Sequence, residues 1–184
     1  MLSSIFIYLL LPAVFSQSAK TGETVRALAT AELVGSIKGT LILKERDSDL
    51  LIEGQLENVP FGKHAIHVHE FGATGNKCLD AGGHYNPTGQ DHGGPGDLDR
   101  HVGDWGNFDV DSDPYSLRFT DHVAKLDGVH SIIGRTIVIH EGIDDLGRGG
   151  NPASRANGNA GARLACGMCL NFHQLIFFLK ICGL

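Results

Sequence analysis

Short period-two stretches, set apart by turn residues, leave this chain little choice but an all-β fold. From Thr24 to about Ile66 the sequence runs through ETVRALATAEL, IKGTLILKE and DLLIEGQLENV, which mix alternating apolar residues with β-branched ones. Gly35, Asp47-Ser48-Asp49 and Pro60-Phe61-Gly62 fall between them as turns. HAIHVHEF is a further strand, and YSLRFTDHV and RTIVIHE repeat the pattern. No segment shows a sustained helical period, although DDLGRGG has room for one short turn. At 184 residues the chain suits one domain with a sizeable core. Strands at this spacing point to a β-sandwich or barrel.

Two stretches break the rhythm. Residues 72–107 are rich in Gly, Asp, His and Asn, and residues 142–162, with GRGGNPASRANGNAGA, read as a flexible loop. Loops longer than about 12–15 residues in a compact domain are usually functional. The chemistry is therefore expected between these loops and the strands that carry them.

Histidines mark the place. His67 and His69 share a strand parity, so both imidazoles face one side, close enough to hold one ion. The plainer reading is two polar residues on a solvent face. His64 has the opposite parity and is not expected to be a ligand. TIVIHE puts His140 on another strand, and the first loop supplies His84, His92, His101 and Asp104 at spacings of eight, nine and three. Glycines there permit a tight curl around an ion. A solvated loop rarely needs so many imidazoles, which favours metal binding.

Composition narrows the partners. The net charge of −6 argues against a nucleic-acid backbone. Residues 1–18 read as a secretory signal peptide: Ile5 to Phe15 has h-region length, and small residues near Ser16 and Ser18 fit cleavage, without a positive n-region. A short buried strand is the alternative. The run is too short to span a bilayer, so no transmembrane segment is expected. Four cysteines, at 78, 166, 169 and 182, permit three pairings, and the sequence alone does not choose.

The motifs HVHEFG, AGGHYNP, HGGPG, RHVGDWGN, IIGRTIVIHE, DDLGRGGN and GNAGARLACG occur in order and in register from about residue 24 to 167. Together they resemble copper/zinc superoxide dismutase of the secreted type. The resemblance implies an eight-stranded Greek-key β-sandwich or barrel, immunoglobulin-like, with two long functional loops. It implies a dismutase domain over 19–167, followed by a divergent apolar tail, 168–184. His67, His69, His84 and His140 match the copper ligands; His84, His92, His101 and Asp104 match the zinc ligands, so His84 serves both ions. Asp144 matches the carboxylate between His67 and His92, Arg163 the arginine that positions the substrate anion, and Cys78 with Cys166 the disulfide. One copper and one zinc per subunit are implied, with superoxide as substrate and His84 as a proton source. A homodimer is implied too, through Phe71, Gly72, Ile133 and Gly134, with a copper chaperone as an allowed partner, in antioxidant defence outside the cell.

The chain departs from that pattern twice. Pro152, Ala153, Ala156 and Asn157 stand where relatives often carry two glutamates, a lysine and a threonine, leaving Arg155 as the nearby charge, so altered electrostatic steering is expected. After Gly167 the chain continues MCLNFHQLIFFLKICGL, which unsettles the usual dimer contact. The competing readings are a non-catalytic metal-binding or copper-chaperone-like domain and a metal store; a store has no need of Arg163.

Overall fold

The computed structural model describes residues 24–182; the signal peptide read over 1–18 lies outside them. Eight strands lie in the order β5-β4-β7-β8-β1-β2-β3-β6, and a short ninth, β9, pairs with β1. Their ranges are Ala27–Gly35 (β1), Lys38–Glu45 (β2), Leu50–Glu57 (β3), Gly62–His69 (β4), Asp104–Val110 (β5), Tyr115–Asp121 (β6), Thr136–His140 (β7), Arg163–Met168 (β8) and Leu170–Asn171 (β9). Every pairing is antiparallel. β3 and β4 are consecutive in sequence yet not neighbours, as are β6 and β7, which gives the Greek-key crossovers. The sheet curls into a nearly closed barrel, as the strand pattern predicts.

Alternation fills the interior. Ala29, Ala31 and Leu33 of β1, Leu41 and Leu43 of β2, and Ile52 and Leu56 of β3 point inward with Ile66, Val68, Ile137 and Ile139. Truncating one of the fully buried leucines or isoleucines to alanine costs about 2–5 kcal/mol. His64 belongs to this side, held by the carbonyl oxygens of His140 and Pro60 and tilted against Phe108.

The other face of β4 and β7 decides the function. An outer barrel face ordinarily meets water, but His67, His69 and His140 are only 0%, 1% and 4% exposed. The loops cover them, and Cys78, Ala81, Val138 and Cys166 make a small second core there.

Three expectations need correction. The first irregular stretch ends earlier than 107, because DWGNFDV forms β5. The 142–162 stretch contains a helix, α1 (Pro152–Asn157), with the Asn151 side chain accepting from the Ser154 amide at its start and left-handed Gly158 at its end. The tail forms a second helix, α2 (Phe172–Cys182). Its residues are apolar almost all round, so no amphipathic period announces it. Among the described residues, no helix is long and apolar enough to cross a membrane.

Candidate metal centre

Strand parity brings His67 and His69 together, and a bulge completes the wall. β7 and β8 slip register between Ile139 and His140, which sets His140 opposite Arg163. The loop then lays His84 against His69 through an isolated bridge. Three groups of possible ligand atoms result, the atoms of each within 4.8 Å of one another: His67, His69, His84 and His140; His84, His92, His101 and Asp104; and His67, His92 and Asp144, which joins the first two. The structure thus gathers every histidine singled out from the sequence, with Asp104 and Asp144.

Ring nitrogens test whether metals fit. His69 Nδ1 is hydrogen-bonded to Gly82 O at 2.9 Å, His140 Nδ1 to Gly161 O at 3.4 Å, and His101 Nε2 to Gln90 O at 3.0 Å. Asp144 accepts from His67 Nε2 at 2.9 Å and from His92 Nε2 at 2.7 Å. Each of these rings is fixed by one nitrogen and turns the other into a cluster. His67 Nδ1 and His84 Nε2 are buried with no hydrogen-bond partner, and His92 Nδ1 meets only Asp104 Oδ1. His69 Nε2 and His140 Nε2 face each other at 3.2 Å. Unprotonated nitrogens crowded this way repel unless a cation lies among them, and the outer hydrogen bonds are those that orient metal-bound imidazoles.

The second group converges on one oxygen. Asp104 Oδ1 lies 2.8 Å from His84 Nδ1, 2.9 Å from His92 Nδ1 and 3.0 Å from His101 Nδ1. Three nitrogens and a carboxylate suit a closed tetrahedral zinc site. Asp104 Oδ2 is occupied by the amides of Gly93 and His101. His84 differs from the other rings, because its two nitrogens point into different clusters.

Electrostatics agree. Burial, then the neighbouring His67, pulls His84 down to about 3; burial likewise takes His140 to about 2 and holds His69 well below the imidazole range. These rings are neutral at physiological pH, with lone pairs free to bind metal. Burial opposes ionisation of Asp104 and Asp144, but hydrogen bonds from the histidines outweigh it and hold both far below the carboxylate range.

The two clusters differ in access. A solvent-open cavity of about 490 Å³ is lined by His69, His84, His140 and Arg163 together with Ala156, Asn157 and Asn159. His92, His101 and Asp104 are not on it. Arg163 is half-buried and donates to Cys78 O at 2.5 Å and Gly82 O at 2.6 Å. Cys78 is joined to Cys166 by a disulfide.

The family profile for copper/zinc superoxide dismutase matches residues 37–169. The chain belongs to the copper/zinc superoxide dismutase family. It is 46% identical over 145 residues to Cu-Zn superoxide dismutase A of Xenopus laevis, covering 78% of this chain and 96% of that protein. It is 49% identical over 130 residues to an extracellular Cu-Zn superoxide dismutase of Caenorhabditis elegans, covering 70% of this chain and 59% of that protein. Among solved structures, the clock protein EA4 superposes with a TM-score of 0.75 at 40% identity, covering 81% of this chain and 97% of that one.

Some supporting groups escaped the sequence reading. Asn107 brackets Asp144, donating to its carbonyl oxygen and accepting from its amide at 2.9 and 2.8 Å. Arg100 donates to Asp104 O and pairs with buried Asp121. Neither sits in a pattern that announces metal chemistry, and a carbonyl anchor such as Gly82 O has no side-chain signature at all.

Proposed function

We propose that this protein is a secreted enzyme that destroys superoxide, with copper held by His67, His69, His84 and His140 and zinc by His84, His92, His101 and Asp104. The observation that carries the reading is His84, whose Nδ1 meets Asp104 while its buried Nε2 faces the other cluster. One imidazole can serve two ions only if both flank it. The copper assignment follows access, since a redox ion needs the open cavity, whereas zinc has no redox chemistry and suits the enclosed group.

When bound, copper supplies the one-electron couple by which two superoxide anions and two protons become dioxygen and hydrogen peroxide. The chain's own residues bring and orient the anion. Arg163 presents a permanently protonated guanidinium at the cavity, fixed by two carbonyl oxygens, and a planar donor fork suits a small oxyanion. His84 Nε2 is the position from which a proton reaches the reduced substrate, while its Nδ1 stays aimed at Asp104. Asp144 holds the outer nitrogens of His67 and His92 and couples the two sites.

The enzyme unit is assigned to 19–167, after a signal at 1–18 and before the tail at 168–184. Support for secretion comes from the Cys78–Cys166 disulfide and the extracellular relative. A homodimer through Phe71, Gly72, Ile133 and Gly134 fits the exposure of Phe71, and a copper chaperone is the matching partner for loading. The test is metal analysis of the secreted, mature protein with a superoxide assay, with and without cyanide. Arg163→Ala should cut dismutation sharply and leave metal content unchanged; full activity without copper rules the assignment out.

A further inference from the structure

Of the asparagines in the chain, only Asn157 precedes a glycine. Asn86 and Asn151 precede prolines, whose nitrogen carries no hydrogen, and the others precede residues with a Cβ. That difference has a chemical consequence. The backbone nitrogen after an asparagine can attack the side-chain carbonyl carbon, and a Cβ on the following residue hinders its approach. Glycine has none and leaves its backbone free to swing.

Local geometry favours the attack at Asn157. The residue is the last of α1 and is exposed, so water reaches it. Its Oδ1 accepts from the amide of Asn159 at 3.1 Å. That bond folds the side chain forward over the Gly158 peptide, as in an Asx turn, and aims a donor at the oxygen where negative charge builds during attack. One restraint opposes it. The Gly158 amide donates to Ser154 O at 3.0 Å, closing the end of a six-residue helix. A bond at a helix end opens at far lower cost than the fold as a whole, so it delays the attack without preventing it.

Position gives the reaction its weight. Asn157 lines the same cavity as His69, His84, His140 and Arg163. Among the described residues on that cavity, Arg163 alone is permanently charged and none is acidic. The nearest acids in sequence are turned elsewhere, Asp144 onto His67 and His92 and Asp145 onto Ser154 and Asn159.

We propose that Asn157 is a self-modifying site, where spontaneous deamidation places a carboxylate on the wall of the cavity as the protein ages. The Gly158 nitrogen bonds to Cγ of Asn157, its proton leaves with the side-chain nitrogen as ammonia, and a five-membered succinimide closes. Water then opens either carbonyl of the ring, giving aspartate or isoaspartate. The sum is one water consumed and one ammonia released, with no change of oxidation state. The new charge weakens the binding of anions in the cavity, and this functional half of the inference rests on the superoxide reading.

The test incubates the copper- and zinc-loaded protein at neutral pH in water enriched in heavy oxygen, then maps its peptides by mass spectrometry. Label taken up at residue 157 marks conversion in the native state rather than during digestion. Conversion should appear at Asn157 before any other asparagine, with isoaspartate in excess over aspartate. It should be absent in Asn157→Gln, whose longer side chain closes the ring poorly. No conversion at Asn157, or faster conversion at another asparagine, overturns the proposal. Azide, titrated and followed by visible absorption, reads the consequence. A unit charge about 10 Å from a bound anion changes its affinity by about twofold at low salt. Aged protein and Asn157→Asp should therefore bind azide about twofold more weakly than fresh protein, while Asn157→Gln loses no affinity on ageing. Unchanged azide affinity in Asn157→Asp overturns the functional half. Fresh, fully loaded protein without dismutase activity would instead sink the enzyme reading and leave the peptide map standing.

Discussion

Arg163 Nη1 donates to the carbonyl oxygen of Cys78, so the cation at the cavity is held by the residue whose sulfur is bonded to Cys166. The disulfide joins residues 88 apart in sequence, tying the first loop to β8. Replacing both cysteines by serine should cost about 2–5 kcal/mol of stability, read by chemical denaturation. It should also lower kcat/KM severalfold while copper and zinc stay bound, since no ligand is lost but the anchor of Arg163 loosens. Unaltered kcat/KM in the folded double variant would show that Gly82 O alone fixes the arginine.

Gly158 is where the α1 loop meets the metal clusters. It has φ +66°, and a Cβ there would lie 1.9 Å from Asp144 Oδ1 and 2.6 Å from His92 Nε2. Gly158→Ala must therefore displace the carboxylate that orients His67 and His92. A loss of about 3 kcal/mol or more is expected, with weakened zinc retention in a chelator competition. Gly161 also has positive φ, +79°, but its Cβ would meet nothing closer than 3.5 Å. Gly161→Ala should cost only about 1 kcal/mol and leave zinc in place. Equal effects of the two would refute the steric account.

The barrel and the clustered histidines are legible for one reason: strand parity is written in side chains. His67-x-His69 and His140 declare their face, and the loop histidines stand out against glycine. β5 was partly hidden because its alternation is clear only over Asn107–Val110, while Asp104, Trp105 and Gly106 are all buried. α1 carried a local signal after all, Asn151-Pro152 at its start and Asn157-Gly158 at its end, but six residues give too little periodicity to outweigh a glycine-rich setting. What no pattern could give is the set of carbonyl oxygens, Gly82, Gly161 and Gln90, that aim the imidazoles.

The metal-free protein exposes the titration of the clustered histidines. His84 at about 3 and His140 at about 2 lie below the unfolded imidazole value of about 6.5, so the unfolded chain binds their protons first. Their contribution to stability is present above about 6.5 and is lost as pH falls toward 3. For His92, burial favours the neutral form, but hydrogen bonds to Asp104 and Asp144 outweigh it and raise it to about 9. Its contribution is present below about 6.5 and is lost as pH rises through about 9. Denaturation midpoints of the metal-free protein should peak near neutrality and fall on both sides. A midpoint that rises steadily toward acid contradicts the buried neutral state of His84 and His140.

Cys169 sits at the bend between β8 and β9, where its amide donates to Arg135 O at 2.8 Å and its carbonyl oxygen accepts from Gly134 at 2.7 Å. Its thiol is fully buried among core residues, and burial pushes it up to about 12. A thiol that is both inaccessible and protonated is a poor nucleophile. Peptide mapping after treatment of the native protein with iodoacetamide at neutral pH should therefore find Cys169 unmodified, and labelling should appear only with unfolding. The unfolded thiol ionises at about 8.5, so the site's contribution to stability holds below that value and is lost as pH climbs toward 12. Cys169→Ala should remove that alkaline slope at a cost of about 1 kcal/mol, whereas Cys169→Ser, which buries a hydroxyl in the core, should cost about 1–3 kcal/mol. Rapid labelling of Cys169 in the native state would mean that the β8–β9 bend opens well below the free energy of global unfolding.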